Sequence, residues 1–162
     1  MVAASDPVSS GFVASIARSG GNITGLTSQS QDLAGKTLQL LKEAAPNLSR
    51  VAVLFDPVPG ARRTLREMEA AAPALGLQLQ AVEVRSPGEL DGAFAKAASG
   101  KAGAAVILAR TFWSYRALIA ERAVKRRLPI AGMLPAFAEA GWLIGYGAHP
   151  PSLLRRADQV VQ

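Results

Sequence analysis

An aspartate, an arginine and a knot of aromatic residues are the parts of this 162-residue chain that could do chemistry. Asp56 follows the wholly apolar run Val51-Ala-Val-Leu-Phe55, which is where strand–helix proteins place carboxylates that accept phosphate or touch a ligand. A phosphoacceptor also needs an acidic pair after an earlier strand, to hold magnesium, and no such pair is present. Asp56 therefore reads as a ligand contact or a loop cap. Arg110 could grip a carboxylate through its planar fork. Beside it Phe112, Trp113 and Tyr115 follow the apolar run Ala104–Leu108, where aromatic rings wall a flat ligand or pack a helix. Both readings stand.

The remaining candidates reduce to bland roles. His149 is the single histidine, and a metal would need further ligands. There is no G-x-S-x-G elbow to make a nucleophile. Ser19-Gly-Gly-Asn22 and Gly145-Tyr-Gly147 match neither phosphate-cradling glycine pattern and read as turns. The chain has no cysteine, which excludes disulfides, thiolate nucleophiles and cysteine-bound zinc. No constellation amounts to an active site, and no cofactor or metal is expected.

The formal charge of +6 raises the question of nucleic acid. The basic residues scatter over several helical stretches, some with acids one turn away, as Arg63 is from Glu67. No base-stacking aromatics lie among them and no helix-turn-helix pattern is visible. They read as solvated helix faces, with no nucleic-acid partner expected. No window holds the eighteen or so apolar residues of a membrane helix, and Met1–Pro7 lacks the features of a signal peptide. The chain as written reads as a soluble protein without an export address.

The elements that must position these residues alternate regularly. Strands are expected at 23–27, 51–55, 77–84, 104–108, 128–131 and 142–146, from short apolar or period-two runs. The 77–84 run, Leu-Gln-Leu-Gln-Ala-Val-Glu-Val, alternates and so belongs near a sheet edge. Helices are expected at 8–17, 32–44, 61–75, 112–127, 135–140 and from Pro150 onward. Another runs to Ser99 from a capping box at Ser86 and Glu89, with Pro87 at its first position. Alternation of this kind implies an α/β fold, a three-layer parallel sheet with helices on both faces. Ligands of such sheets sit beyond the carboxyl ends of the strands. That singles out the loops 56–60, 109–113 and 131–135.

Ser5-Asp-Pro-Val8, then Ile16-Ala-Arg-Ser-Gly-Gly-Asn-Ile-Thr-Gly25, resemble the S-D-P-V and L-A-R-P-G-G-N-V-T-G of a known family. Leu40-Leu-Lys-Glu43, Arg50-Val-Ala-Val-Leu54, Leu128-Pro129, Glu139-Ala-Gly141 and Tyr146-Gly147 continue the match in order. The family is that of ABC-transporter substrate-binding proteins, of the tryptophan- and tyrosine-importer type. The resemblance implies a type I periplasmic-binding fold, whose two flavodoxin-like lobes close on a ligand. Residues 1–26 would be a remnant of the first lobe, 27–146 a complete second lobe and 147–162 a helix returning to the first.

The resemblance also implies a non-catalytic solute-binding component, in the periplasm or cell envelope, with a small amino-acid-like ligand, aromatic ones included, and an ABC permease as partners. Its ligand residues would be Ser5 and Asp6, Ser28 at the hinge, Asp56, Arg110, Thr111 and Phe112 in the second lobe, and Tyr146 at the return crossover. Asp56 stands where the family has Asn, and Ala109 or Arg110 where it has Asp, which leaves the ligand class open. With the first lobe incomplete, apolar residues of the terminal segments are expected to pair two copies into a homodimer, or else those segments are expected to be disordered. The rival readings are a stand-alone flavodoxin-like nucleotide or flavin binder and a regulatory interaction module.

Overall fold

The computed structural model describes residues 2–4, 25–27, 30–108, 110–134 and 136–146. Strand β1 (Val2–Ala4) pairs in parallel with β2 (Gly25–Thr27). The main sheet follows helix α1 (Ser30–Ala44). It is built from β3 (Arg50–Phe55), β4 (Gln78–Glu83), β5 (Ala104–Ile107), β6 (Ile130–Gly132) and β7 (Ile144–Gly145). These lie in the order β4-β3-β5-β6-β7, and every pairing is parallel. The crossovers carry α2 (Pro59–Ala71), α3 (Leu90–Ser99), α4 (Arg116–Lys125) and the short α5 (Ala136–Glu139).

The period-two geometry of the strands sorts their side chains into two cores. Val51, Val53 and Phe55 of β3 join Ala104 and Val106 of β5 under α1 and α2, with Leu38, Leu41, Leu65 and Met68. Ala52 and Leu54, with Ala105 and Ile107, face the other way onto α3 and α4, against Phe94, Leu90, Ile119 and Ala123. Each helix meets its core through the spacing that keeps residues on one stripe: Ala61, Leu65 and Met68 in α2, and Leu90, Ala93, Phe94 and Ala97 in α3. A strand buried on both faces must be apolar throughout, which is why β3 shows no alternation in its sequence. The fold is the expected three-layer α/β sandwich.

Several boundaries differ from expectation. Strand β4 is indeed an edge, with Gln78 and Ala81 exposed. The capping box at Ser86 does not form. Pro87–Glu89 is a single 3-10 turn, Ser86 makes no side-chain cap, and the Glu89 carboxylate accepts instead from the Arg85 N–H at 3.0 Å. The helix expected over 112–127 opens as a 3-10 segment, Arg110–Tyr115, and becomes α-helical only at Arg116. Strand β1 had no signal in its three residues. The helices expected at 8–17 and beyond Pro150 lie outside the described residues, and so do the terminal apolar residues on which the homodimer expectation rests. Among the described residues no helix is long and apolar enough to cross a membrane.

Candidate functional site at the carboxyl edge of the sheet

The strand order decides which carboxyl ends matter. From β3 the chain goes to β4 on one side and then crosses back to β5 on the other, so the order reverses between β3 and β5. At such a switch point the two following loops diverge and leave a crevice. Asp56 ends β3 on one side of it. The Arg110–Tyr115 segment follows β5 on the other. Leu108 N–H donates to Leu54 O at 2.8 Å and Val84 N–H to Phe55 O at 2.9 Å, so the three strands end nearly level.

Asp56 is 3% exposed, and with Thr37 it is one of two buried polar side chains among the described residues. The Thr37 hydroxyl donates to Leu33 O at 2.8 Å within α1. Asp56 does not cap the helix that follows it. The N-cap of α2 is Val58, without any side-chain cap, and Pro59 stands in the first turn. A tight turn closes the loop instead, with Val58 N–H donating to Asp56 O at 2.8 Å. Beside it, Glu83 at the end of β4 is bound by Arg62 at 3.0 Å and by Arg85 at 2.8 Å. The Arg62 guanidinium also lies 5.7 Å from the Phe55 ring centroid.

The aromatic residues resolve differently from their sequence neighbourhood. Trp113 meets Phe137 edge-on, with centroids 5.2 Å apart, and Phe137 stacks on Trp142 at 4.2 Å. Arg116 lies over the Trp113 ring at 5.0 Å and donates to Trp113 O. Its own carbonyl accepts from Trp142 Nε1 at 3.0 Å. Trp113 is therefore at once a packing residue and, at 38% exposed, a surface on the carboxyl edge. Phe137 and Trp142 were not candidates in the sequence. They lie more than twenty residues from Trp113, and only the fold brings them to it.

Val58, Tyr115 and Tyr146 are the other large apolar or aromatic side chains exposed at this edge. Tyr146 N–H donates to Gly132 O at 3.0 Å, which sets Tyr146 level with the end of β6. Of the expected ligand residues, the structure thus brings Asp56, the backbone of Arg110, Thr111 and Phe112, and Tyr146 to one edge. Ser5, Asp6 and Ser28 lie outside the described residues, and so does His149. Among the described residues no three His, Asp or Glu side chains gather as metal ligands. The arrangement can hold a small molecule by charge and by apolar contact, and its described residues offer no nucleophile–base pair.

A sequence model of the family described as ABC transporter substrate binding protein matches residues 1–161. No curated protein matches the chain. Among solved structures it is similar to an ABC domain from Streptococcus pneumonia in complex with L-Trp. The TM-score is 0.71 at 23% identity, over 86% of this chain and 47% of that one. A conserved domain protein from Vibrio cholerae gives 0.70 at 22% identity, over 85% and 46%. A substrate-binding protein with adhesive properties from Clostridium difficile, in a ligand-free, open form, gives 0.67 at 20% identity over the same shares. The chain spans about half the length of these structures.

Proposed function

The chain belongs to the family of ABC transporter substrate-binding proteins, and we propose that it supplies one wall of a solute-binding cleft for an amino-acid-like ligand. The observation that carries this reading is the position of Asp56, a carboxylate 3% exposed at the switch point of a parallel sheet. A carboxylate at that place is the kind of group with which a ligand ammonium forms a charge-assisted hydrogen bond. The backbone of Arg110 opens the segment across the crevice, and its guanidinium would take the ligand carboxylate. Thr111 would add a hydroxyl, with Phe112 and Tyr146 as apolar walls.

On this proposal residues 27–146 form the second lobe. Residues 1–26 and 147–162 belong with the first, with Ser5 and Asp6 reaching the ligand from that side and Ser28 at the hinge. Binding is then two-sided and completed by closure. The relative solved with L-Trp supports an amino acid, aromatic ones included, as the ligand class. Membership of a family described as ABC transporter substrate binding protein supports a permease partner, a place in the cell envelope and a binding role.

Isothermal calorimetry of the full chain with a panel of free amino acids tests the reading. The expected result is weak but saturable binding of at least one of them, since one wall of the cleft is what this chain supplies, and its loss in Asp56→Asn, because truncating one side of a buried charge pair costs about 2 kcal/mol or more. Heat from no amino acid, or a flavin or nucleotide that copurifies by its absorbance, overturns it in favour of the rival binders.

A further inference from the structure

Four helical segments end in the same backbone device, in which a left-handed residue donates to the carbonyl three back and the next residue to the carbonyl five back. Gly76 and Gly141 fill the left-handed position in two of them, at φ 65° and 89°. After α3 the position is Lys101 at φ 57°, whose N–H donates to Ala98 O while Ala102 N–H donates to Ala97 O. After α4 it is Arg127 at φ 51°, with Arg127 N–H donating to Val124 O and Leu128 N–H to Ala123 O. Glycine takes this conformation freely, whereas an L side chain is strained in it. Lys101 and Arg127 are the two non-glycine residues with positive φ among the described residues, and both are cations. Strain kept where glycine would serve points to a use for the side chain.

Both stand in a row. Helices α3 and α4 run back against the strands, so Lys101 precedes β5 and Arg127 precedes the neighbouring β6 on the amino edge of the sheet. Arg50 opens β3 on the other side of β5, its carbonyl accepting from Gly103 N–H at 2.9 Å. Arg50 is the first residue of β3, and Lys101 and Arg127 each stand three residues before β5 and β6, so three exposed cations lead into three adjacent strands. None of them has an ion pair among the described residues. Of the acids at the helix ends nearby, Glu121 is held by Lys125, while Glu43 and Glu139 stay exposed. The same edge carries the two most exposed large apolar side chains of the described residues, Val124 at 71% and Leu143 at 53%.

We propose that this amino edge docks on an anionic membrane surface. Arg50, Lys101 and Arg127 meet the phosphate-bearing headgroups, and Val124 and Leu143 reach the acyl boundary. Cations interspersed with exposed aliphatic groups are what such an interface requires. A nucleic-acid surface would want exposed aromatics among the cations, but Trp113, Tyr115 and Tyr146 are exposed on the opposite, carboxyl edge. Docking in this way does not depend on which ligand the crevice takes.

Flotation of the full chain with vesicles of phosphatidylcholine alone, or with phosphatidylglycerol added, tests the proposal. Binding is expected to the anionic vesicles only, falling as salt rises. Lys101→Gly with Arg127→Gly should lower partitioning about thirty-fold, roughly five-fold per cation, and adding Arg50→Gln should take the loss past about a hundredfold. The glycines suit the backbone, so the thermal midpoint of the double variant at or above wild type certifies its fold. Val124→Asn with Leu143→Asn should weaken the binding that survives high salt. Equal flotation of wild type and the glycine variant overturns the proposal. So does absence of binding to anionic vesicles, or tighter binding to a DNA duplex than to them.

Discussion

Gly132 ends β6 directly against the aromatic stack. A Cβ placed there would stand 2.4 Å from Phe137 Cδ2 and 2.8 Å from Trp142 Cζ3. Ring atoms can yield only if the ring can move, and these cannot move far. Phe137 is held between Trp113 and Trp142, and Trp142 is 4% exposed and tied by its indole N–H to Arg116 O. Gly132→Ala is therefore expected to cost about 1–3 kcal/mol. That lowers the thermal midpoint by about 2–4 °C for each kcal/mol in a chain of this size. It should also change the near-ultraviolet dichroism of the stacked rings. An unchanged midpoint would mean that the stack is looser than its geometry. The glycine is legible in the sequence, but its neighbours are not.

At the scale of elements, α3 and α4 are joined on their outer faces by one carboxylate. Asp91 receives Arg126 at 2.9 Å and also Arg122, one helical turn earlier on α4. The Arg122 hydrogen bond, and with it the Arg126 pair, holds the Asp91 carboxyl below its ordinary value of 3.8. The sign follows from linkage. A carboxyl whose folded pKa is lowered contributes its stability fully above the unfolded value, and loses it as the pH falls through the folded one. Denaturant midpoints of Asp91→Asn and wild type should thus differ most at neutral pH and converge as the pH falls below about 4. Added salt should shrink the difference, since the pair is exposed. A gap that persists in acid would mean that Asp91 matters through packing. The i,i+4 pair of Glu121 and Lys125 can be read from the sequence. The bridge from Asp91 to residues more than thirty positions away cannot.

For the whole molecule, the strand order sets a gradient of protection. β3 and β5 are bonded on both sides and covered by helices on both faces, whereas β4 and β7 are edges. Buried, doubly bonded amides open only with the global transition, while edge amides open locally at lower cost. Hydrogen exchange is expected to be slowest at Val53 and Val106 and faster at Ile144 and Gly145. Exchange as slow at β7 as at β5 would place a covering partner on that edge. The same order also makes the molecule two-ended, with aromatic and carboxylate groups at the carboxyl edge and the cation row at the amino edge.

Alternation of short apolar runs with helical stripes, in the sequence alone, settled the α/β class, the parallel sheet and the edge character of β4, because burial on two faces or one leaves a direct mark on residue type. Ordered motifs from Ser5 to Gly147 settled the family. Asp56 could be named because it abuts the β3 run, and Tyr146 because a family motif carries it. What only the tertiary structure decided is which strands are neighbours, and so where the switch point falls. That depends on crossovers whose direction leaves no trace in local composition. The contact of Trp113 with Phe137 and the grouping of Arg50, Lys101 and Arg127 were hidden for the same reason. Each joins residues more than twenty positions apart, and the order of the strands, rather than any local pattern, brings their elements together.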